Sequence, residues 1–384
     1  MTRSNRILIA LALALTVSGC GIFGRDKDAE QKPAELVDFE ATLQVERLWS
    51  TGVGAGINRS RPNFRPEVQG DLIWVADHRG RVTAVRAENG RVARRFDTGL
   101  DLSAGPSIHG DLLLLGTFDG DLVALHAETG NVRWKARLSS EILAYPILHD
   151  GVIVARCIDG RTFGIDPADG RRVWVHDRSV PLLTLRGNSD PLVRAGQVFI
   201  GHDNGTVTAL RVSDGNLLWE QRVSVPEGRT ELERLADIDG HMAIVGTDLY
   251  TVTYRGRMAS LAVESGRILW VKDVASHSGI SVQRTQLAAV DRDDSVWLID
   301  RRNGSTLWRE ERMARRGLSQ PVFVGDHVVT VDMEGYMHWL DAANGNFAAR
   351  VRPTRSAPSS APVAAGNTVY LLDEDGTLSA WRPR

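Results

Sequence analysis

Apolar and polar residues alternate with period two in short runs, and the runs come in sets. The stretch 120–134, GDLVALHAETGNVRW, returns at 160–174, 205–219 and 256–270, and at 294–308 with Asp294 in place of the first glycine. Weaker copies span 80–90 and 335–345, followed by Arg94 and Ala349 where the others carry tryptophan. In all seven copies the two turn positions lie ten residues apart, a constancy that demands one repeated structural unit. Alternation of Leu122 and Ala124 against Val123 and Leu125, with β-branched and aromatic content, predicts a strand. The turn Glu128-Thr129-Gly130 places a glycine where a hairpin reverses, and a second strand runs through Trp134. Upstream glycines (Gly70, Gly110, Gly151, Gly196, Gly246, Gly325, Gly366), most flanked by apolar runs, add two further strands and a turn. Pro66, Pro106, Pro146, Pro191, Pro321 and Pro362 precede them at the start of a first strand, where a missing N–H is tolerated.

Each repeat is therefore a four-stranded antiparallel meander of about 40 residues, the size of a propeller blade. The expected fold is all-β, an eight-bladed β-propeller over residues 41–384. An eighth copy starts at Gly376 and stops at Arg384 before its last strand, whereas residues 45–49 match the tryptophan-bearing strand and precede the first blade. Trp49 is thus expected to complete the blade containing Trp381, so that both free sheet edges disappear. Trp49, Trp134, Trp174, Trp219, Trp270 and Trp308 are the expected structural docking residues between blades.

The first twenty residues do not belong to this pattern. Arg3 and Arg6 precede an apolar run from Ile7 to Val17, too short for a permanent span, which reads as an export signal over 1–19. The tetrad Val17-Ser18-Gly19-Cys20 reads as a lipobox, making Cys20 the lipidated first residue of the mature chain; several acyl chains would hold it firmly on a membrane. Residues 20–40 are polar and aperiodic, as a flexible tether would be. With 46 Lys+Arg against 48 Asp+Glu, the bulk charge of -2 gives no basic stripe for nucleic acid. Two cysteines, Cys20 and Cys157, in such different settings exclude a disulfide framework.

Site chemistry is sparse. Cys157 sits in an apolar run and reads as a buried inert thiol. Asp291, Asp293 and Asp294 lack the central glycine and twelfth-position glutamate of a calcium loop and read as a turn. Ten histidines show no metal-ligand spacing, and neither a nucleophile elbow nor a phosphate loop occurs. No catalytic residue, metal or cofactor is therefore expected. Arg309, Arg312, Arg315 and Arg316, interrupted by Glu310 and Glu311, read as a solvated face.

Loop lengths are more informative. From the tryptophan position to the next repeat the usual gap is 26 residues (Trp134 to Gly160), but Trp49 to Gly80 and Trp174 to Gly205 are 31, and Trp219 to Gly256 is 37. In a meander blade all three insertions fall on one face, and two of them, 176–190 and 221–240, join successive blades. Long loops on a rigid scaffold are where binding is usually placed. The first offers Val180, Leu182, Leu183, Leu185 and then Arg186, suited to a carboxylate; the second offers Glu231, Glu233, Arg234, Asp237 and Asp239.

The repeated ALxAxTGxxxW pattern resembles the tryptophan-docking repeat of quinoprotein-like eight-bladed propellers. With the lipobox, the length, and the segments 49–54 (WSTGVG) and 183–188 (LTLRGN), the whole chain resembles the BamB-type outer-membrane assembly lipoproteins. That resemblance implies a non-catalytic scaffold of the β-barrel assembly (BAM) complex that binds the POTRA domains of BamA. It further implies contacts at Leu183, Leu185, Arg186, Asp237 and Asp239. Gly21 rather than aspartate after the lipidated cysteine implies the outer membrane, with the body in the periplasm and unfolded barrel strands as a further class of partner. Two alternatives share the repeat: a dehydrogenase dependent on pyrroloquinoline quinone, and a periplasmic protein-binding propeller outside barrel assembly. The much greater length and the adjacent cysteines or haem motif of the dehydrogenases are missing here.

Overall fold

The computed structural model describes residues 32–56, 64–181, 183–184, 189–225, 229–230, 235–238 and 240–384. Their strands form eight four-stranded antiparallel sheets, and seven of these are consecutive meanders. Blade 1 comprises Glu67–Gln69, Leu72–Ala76, Arg81–Arg86 and Val92–Asp97; blades 2 to 7 follow at 102–137, 147–176, 192–222, 243–272, 280–310 and 322–351. Blade 8 takes Val363–Ala365, Thr368–Leu372 and Thr377–Pro383 from the C-terminus and its outermost strand, Val45–Gly52, from the N-terminus. The closing register runs from Val45 opposite Pro383 to Gly52 opposite Thr377, as the repeat arithmetic requires.

Burial follows strand position. The second and third strands of blade 2, Leu112–Thr117 and Asp121–His126, are buried almost throughout, because both of their faces meet neighbouring blades. Its outer strand, Val132–Arg137, is largely exposed except at Trp134. Next to that position, in blades 1 to 7, the ladder shifts register by one residue, between Ala124 and Leu125 in blade 2. Such a bulge increases local twist.

Six tryptophans each staple one blade to the next, at six of the eight junctions. Their indole Nε1 groups donate to Ala87, Pro167, Val212, Val263, Arg301 and Ala342 carbonyls at 2.8–3.0 Å, for Trp49, Trp134, Trp174, Trp219, Trp270 and Trp308 in turn. Each ring lies on the turn glycine of the following blade. At Gly215, for example, φ is +70° and a Cβ would stand 2.6 Å from the Trp174 ring, so geometry and space both require glycine.

The two departures from the pattern have different causes. In blade 1 Phe96 takes the place of the indole against Gly130, and Arg94 pairs with Glu128 of the next turn at 3.6 Å. In blade 7 the following blade has no turn between its third and outer strands, because the two chain ends meet there. Leu43 and Val45 pack instead into the cluster holding Ala349 and Trp381.

Residues 32–43 are laid along blade 7. Ala34 N–H donates to Ala314, while Arg315, Arg316 and Arg350 donate to the Lys32, Ala34 and Val37 carbonyls. Phe39 stacks on Phe347 at 5.3 Å, and Thr42 and Leu43 N–H groups both donate to Ala348. The segment 32–40, expected as the end of a free tether, is therefore held against the ring. The arginine cluster is likewise not a uniformly solvated face: Arg316 is buried, paired with Asp332 at 2.7 Å and with Glu334.

Candidate partner-docking face

Connections between blades leave from outer strands and return to inner ones, so they share a face with the turns between second and third strands. Hydrogen bonds join the two sets: Thr98, Leu138 and Val223 N–H groups donate to Gly80, Gly120 and Gly205 carbonyls. The two longest connections between successive blades, around 177–191 and 223–242, flank blade 4.

The first begins with Arg178, whose guanidinium makes a two-pronged pair with Glu220 at 2.8 and 3.0 Å. Val180 and Leu183 follow with 41% and 39% of their surface exposed, large apolar groups with little to cover them. Leu185 and Arg186 lie outside the described residues. The connection re-enters the ring at Ser189 and Asp190, both buried. In the second connection Val225 is 56% exposed. Leu235 to Ile238 fold down onto the blade tops: Ile238 N–H donates to His202, and its side chain packs where a Cβ on Gly201 would stand. Asp237, expected as a surface contact, is only 1% exposed, with Tyr254 N–H bonded to its carbonyl. Asp239 lies outside the described residues.

The inner ends of both connections meet at the mouth of the ring axis. Asp190 Oδ2 accepts from Arg65 at 2.5 Å, and Arg65 also touches His241 Nε2; His241 Nδ1 stands 3.6 Å from the same carboxylate. Asp190 Oδ1 accepts the Tyr145 N–H at 2.7 Å. The Tyr145 hydroxyl accepts the Arg65 N–H at 2.6 Å, and its ring lies 4.2 Å beneath the Arg65 guanidinium. Arg156, fully buried in blade 3, adds a pair to Asp203 at 3.2 Å and a long contact to the Ser189 carbonyl. Beside them a cavity of about 190 Å³ is lined also by His277, Gln320 and Ser360.

Sequence reading missed this cluster, although a signal exists. Arg65, Tyr145, Asp190 and Gln320 each stand immediately before the proline that opens a first strand, and His241 occupies the same place in blade 5. Arg156 is the one charge in an apolar run.

Burial, reinforced by the Arg65 charge, pushes His241 down to about 4. Burial also holds buried His202 well below the usual histidine range. Between pH 6.5 and 4 the unfolded chain binds the His241 proton and the folded chain does not, so stability present above pH 6.5 is lost as pH falls, and the lowered His202 acts in the same direction. The melting temperature should be lower at pH 5 than at pH 7, and the difference should shrink in His241→Asn. A variant with the wild-type pH dependence would exclude His241 as a contributor.

Elsewhere the chemistry is structural. Cys157 is buried, and burial pushes its thiol up. Asp291 and Asp294 accept backbone N–H groups of their own turn and of Gly317 and Leu318. Among the described residues no group of three or more His, Cys, Asp or Glu could hold a metal ion.

Comparison with known proteins agrees with this architecture. The family profile described as outer membrane protein assembly factor BamB matches residues 78–310 and 298–384. The protein of that name from Alkalilimnicola ehrlichii is 45% identical over 99% of this chain and 97% of its own length. The one from Escherichia coli is 30% identical over 97% and 98%. Among solved structures, BamB from Moraxella catarrhalis superposes with a TM-score of 0.81 at 26% identity, covering 88% of this chain and all of that one. A quinohaemoprotein alcohol dehydrogenase from Comamonas testosteroni shares the fold, with a TM-score of 0.68 at 13% identity over 88% and 76% of the two chains. Eight blades closed by an N-terminal strand, and relatives matched from end to end, place this chain in the BamB family of outer membrane protein assembly factors.

Proposed function

We propose that the protein is a lipid-anchored scaffold of the outer-membrane barrel assembly machinery, docking the POTRA domains of BamA through the two connections that flank blade 4. The observation that carries this reading is a pair of long connections raised on one face with Val180, Leu183 and Val225 exposed, above roots held by buried ion pairs. Interface anchors are characteristically a few apolar or arginine side chains in a neutral surround. Leu183, Leu185 and Arg186 take that part. Asp237, being buried, supports the second connection from within, and the acidic contact to the partner is assigned to its neighbour Asp239. Cys20 carries the lipid, and the body faces the periplasm from the outer membrane. The role is architectural, and the shared fold of the quinoprotein dehydrogenases extends to no reaction here.

The double substitution Leu185→Ala with Arg186→Ala should abolish capture of BamA from solubilised outer membranes while leaving the melting temperature unchanged. Capture at the wild-type level would overturn the assignment of this face.

A further inference from the structure

The inner ends of the two connections beside blade 4 are not independent. Asp190 closes the first and His241 closes the second, and they are 51 positions apart in the chain. Both are gripped by one side chain, Arg65, which arrives from the entry to blade 1. We propose that Arg65 is a positioning residue that ties the inner ends of the two connections, at Asp190 and His241, into a single arrangement, so that both connections rise toward the partner from one fixed root. The inference rests on the docking role proposed above.

The geometry gives the guanidinium few alternatives. Its Nη1 faces Asp190 and His241 together, its plane lies over the Tyr145 ring, and its own backbone N–H is fixed by the Tyr145 hydroxyl. Tyr145 in turn fixes the other oxygen of Asp190 through its N–H, and its hydroxyl reaches the Gly105 carbonyl at 3.1 Å. Movement of either root therefore disturbs a network shared by the entries to five blades. A fixed arginine fork is suited to this, because it loses little freedom for each bond formed. Preorganisation raises affinity by lowering the ordering cost at association. His241 also forms a parallel bridge with Gly279, where no side chain could fit against its backbone, so the second root is fixed on its outer side as well.

Hydrogen exchange separates the lock from general stability. Arg65→Met leaves Asp190 without its cation and can impair folding. The double variant Arg65→Met with Asp190→Asn removes both charges while keeping an acceptor for Tyr145. In that variant, peptides covering the roots at 189–194 and those covering 240–245 should both exchange at least about tenfold faster, as expected when a local opening is no longer held closed. Peptides covering 311–320 should be unaffected, and the affinity for purified BamA POTRA domains should fall about tenfold through slower productive association. Unchanged exchange in both connections, or a rise confined to one, would overturn the lock. Faster exchange in both with unaltered POTRA affinity would support the lock and overturn the docking role instead.

Discussion

A chain lacking residues 43–50 melts at a sharply lower temperature than the intact protein and unfolds with reduced cooperativity. Those residues supply most of the outer strand of blade 8, paired from Val45 opposite Pro383 onward. They also include Trp49, whose indole bonds Ala87 of blade 1 at 2.9 Å and lies against Gly90. Loss of a buried tryptophan alone costs about 3–5 kcal/mol. Here the third strand of blade 8 is uncovered along its length as well, Leu43 and Val45 leave the cluster around Ala349, and Glu46 abandons Arg382 and Arg384. The opened ring presents an unpaired apolar edge, so aggregation should accompany the loss of stability. Calorimetry on the two chains measures the difference, and an unchanged melt would be incompatible with closure by the N-terminal strand.

Trp174→Ala is the second large effect. Trp174 is buried, donates to Val212 at 2.8 Å and covers Gly215, so its removal opens a cavity between blades 3 and 4 and leaves a carbonyl unpaired. A loss of about 3–5 kcal/mol is expected from urea unfolding. Arg94→Ala, at the same repeat position in blade 1, should cost no more than about 1 kcal/mol, since its pair with Glu128 is on the surface and Phe96 does the packing. Equal effects of the two substitutions would refute the assignment of the indole as the stapling group.

The ring was readable because its information is local and repeated. Gly120 and Trp134 recur at fixed spacing since every blade must solve the same hairpin and the same inter-blade contact. Closure through Trp49 followed from counting. The meaning of Arg94 and Ala349 was not readable: Phe96 looks like any strand aromatic until Gly130 is seen beneath it, and Ala349 makes sense only once both chain ends share a blade. At the candidate site, exposure of Leu183 could be anticipated from an apolar run in an over-long connection. Burial of Asp237 could not, because it depends on Ile238 finding the recess over Gly201. Arg65 was hidden by distance along the chain, its partners lying 125 and 176 positions away. Only the topology brings them together.

The segment strapped along blade 7 also shortens the leash. Among the described residues its bonds to the ring begin at Lys32, on the same face as the docking connections and three blades round from blade 4. If Cys20 bears the lipid, residues 20–31 can span roughly 40 Å even when fully stretched. Under that anchoring the bilayer would lie within roughly 40 Å of the rim at blade 7, so that the strap, more than the length of the leader, would set how far the ring stands from the lipid.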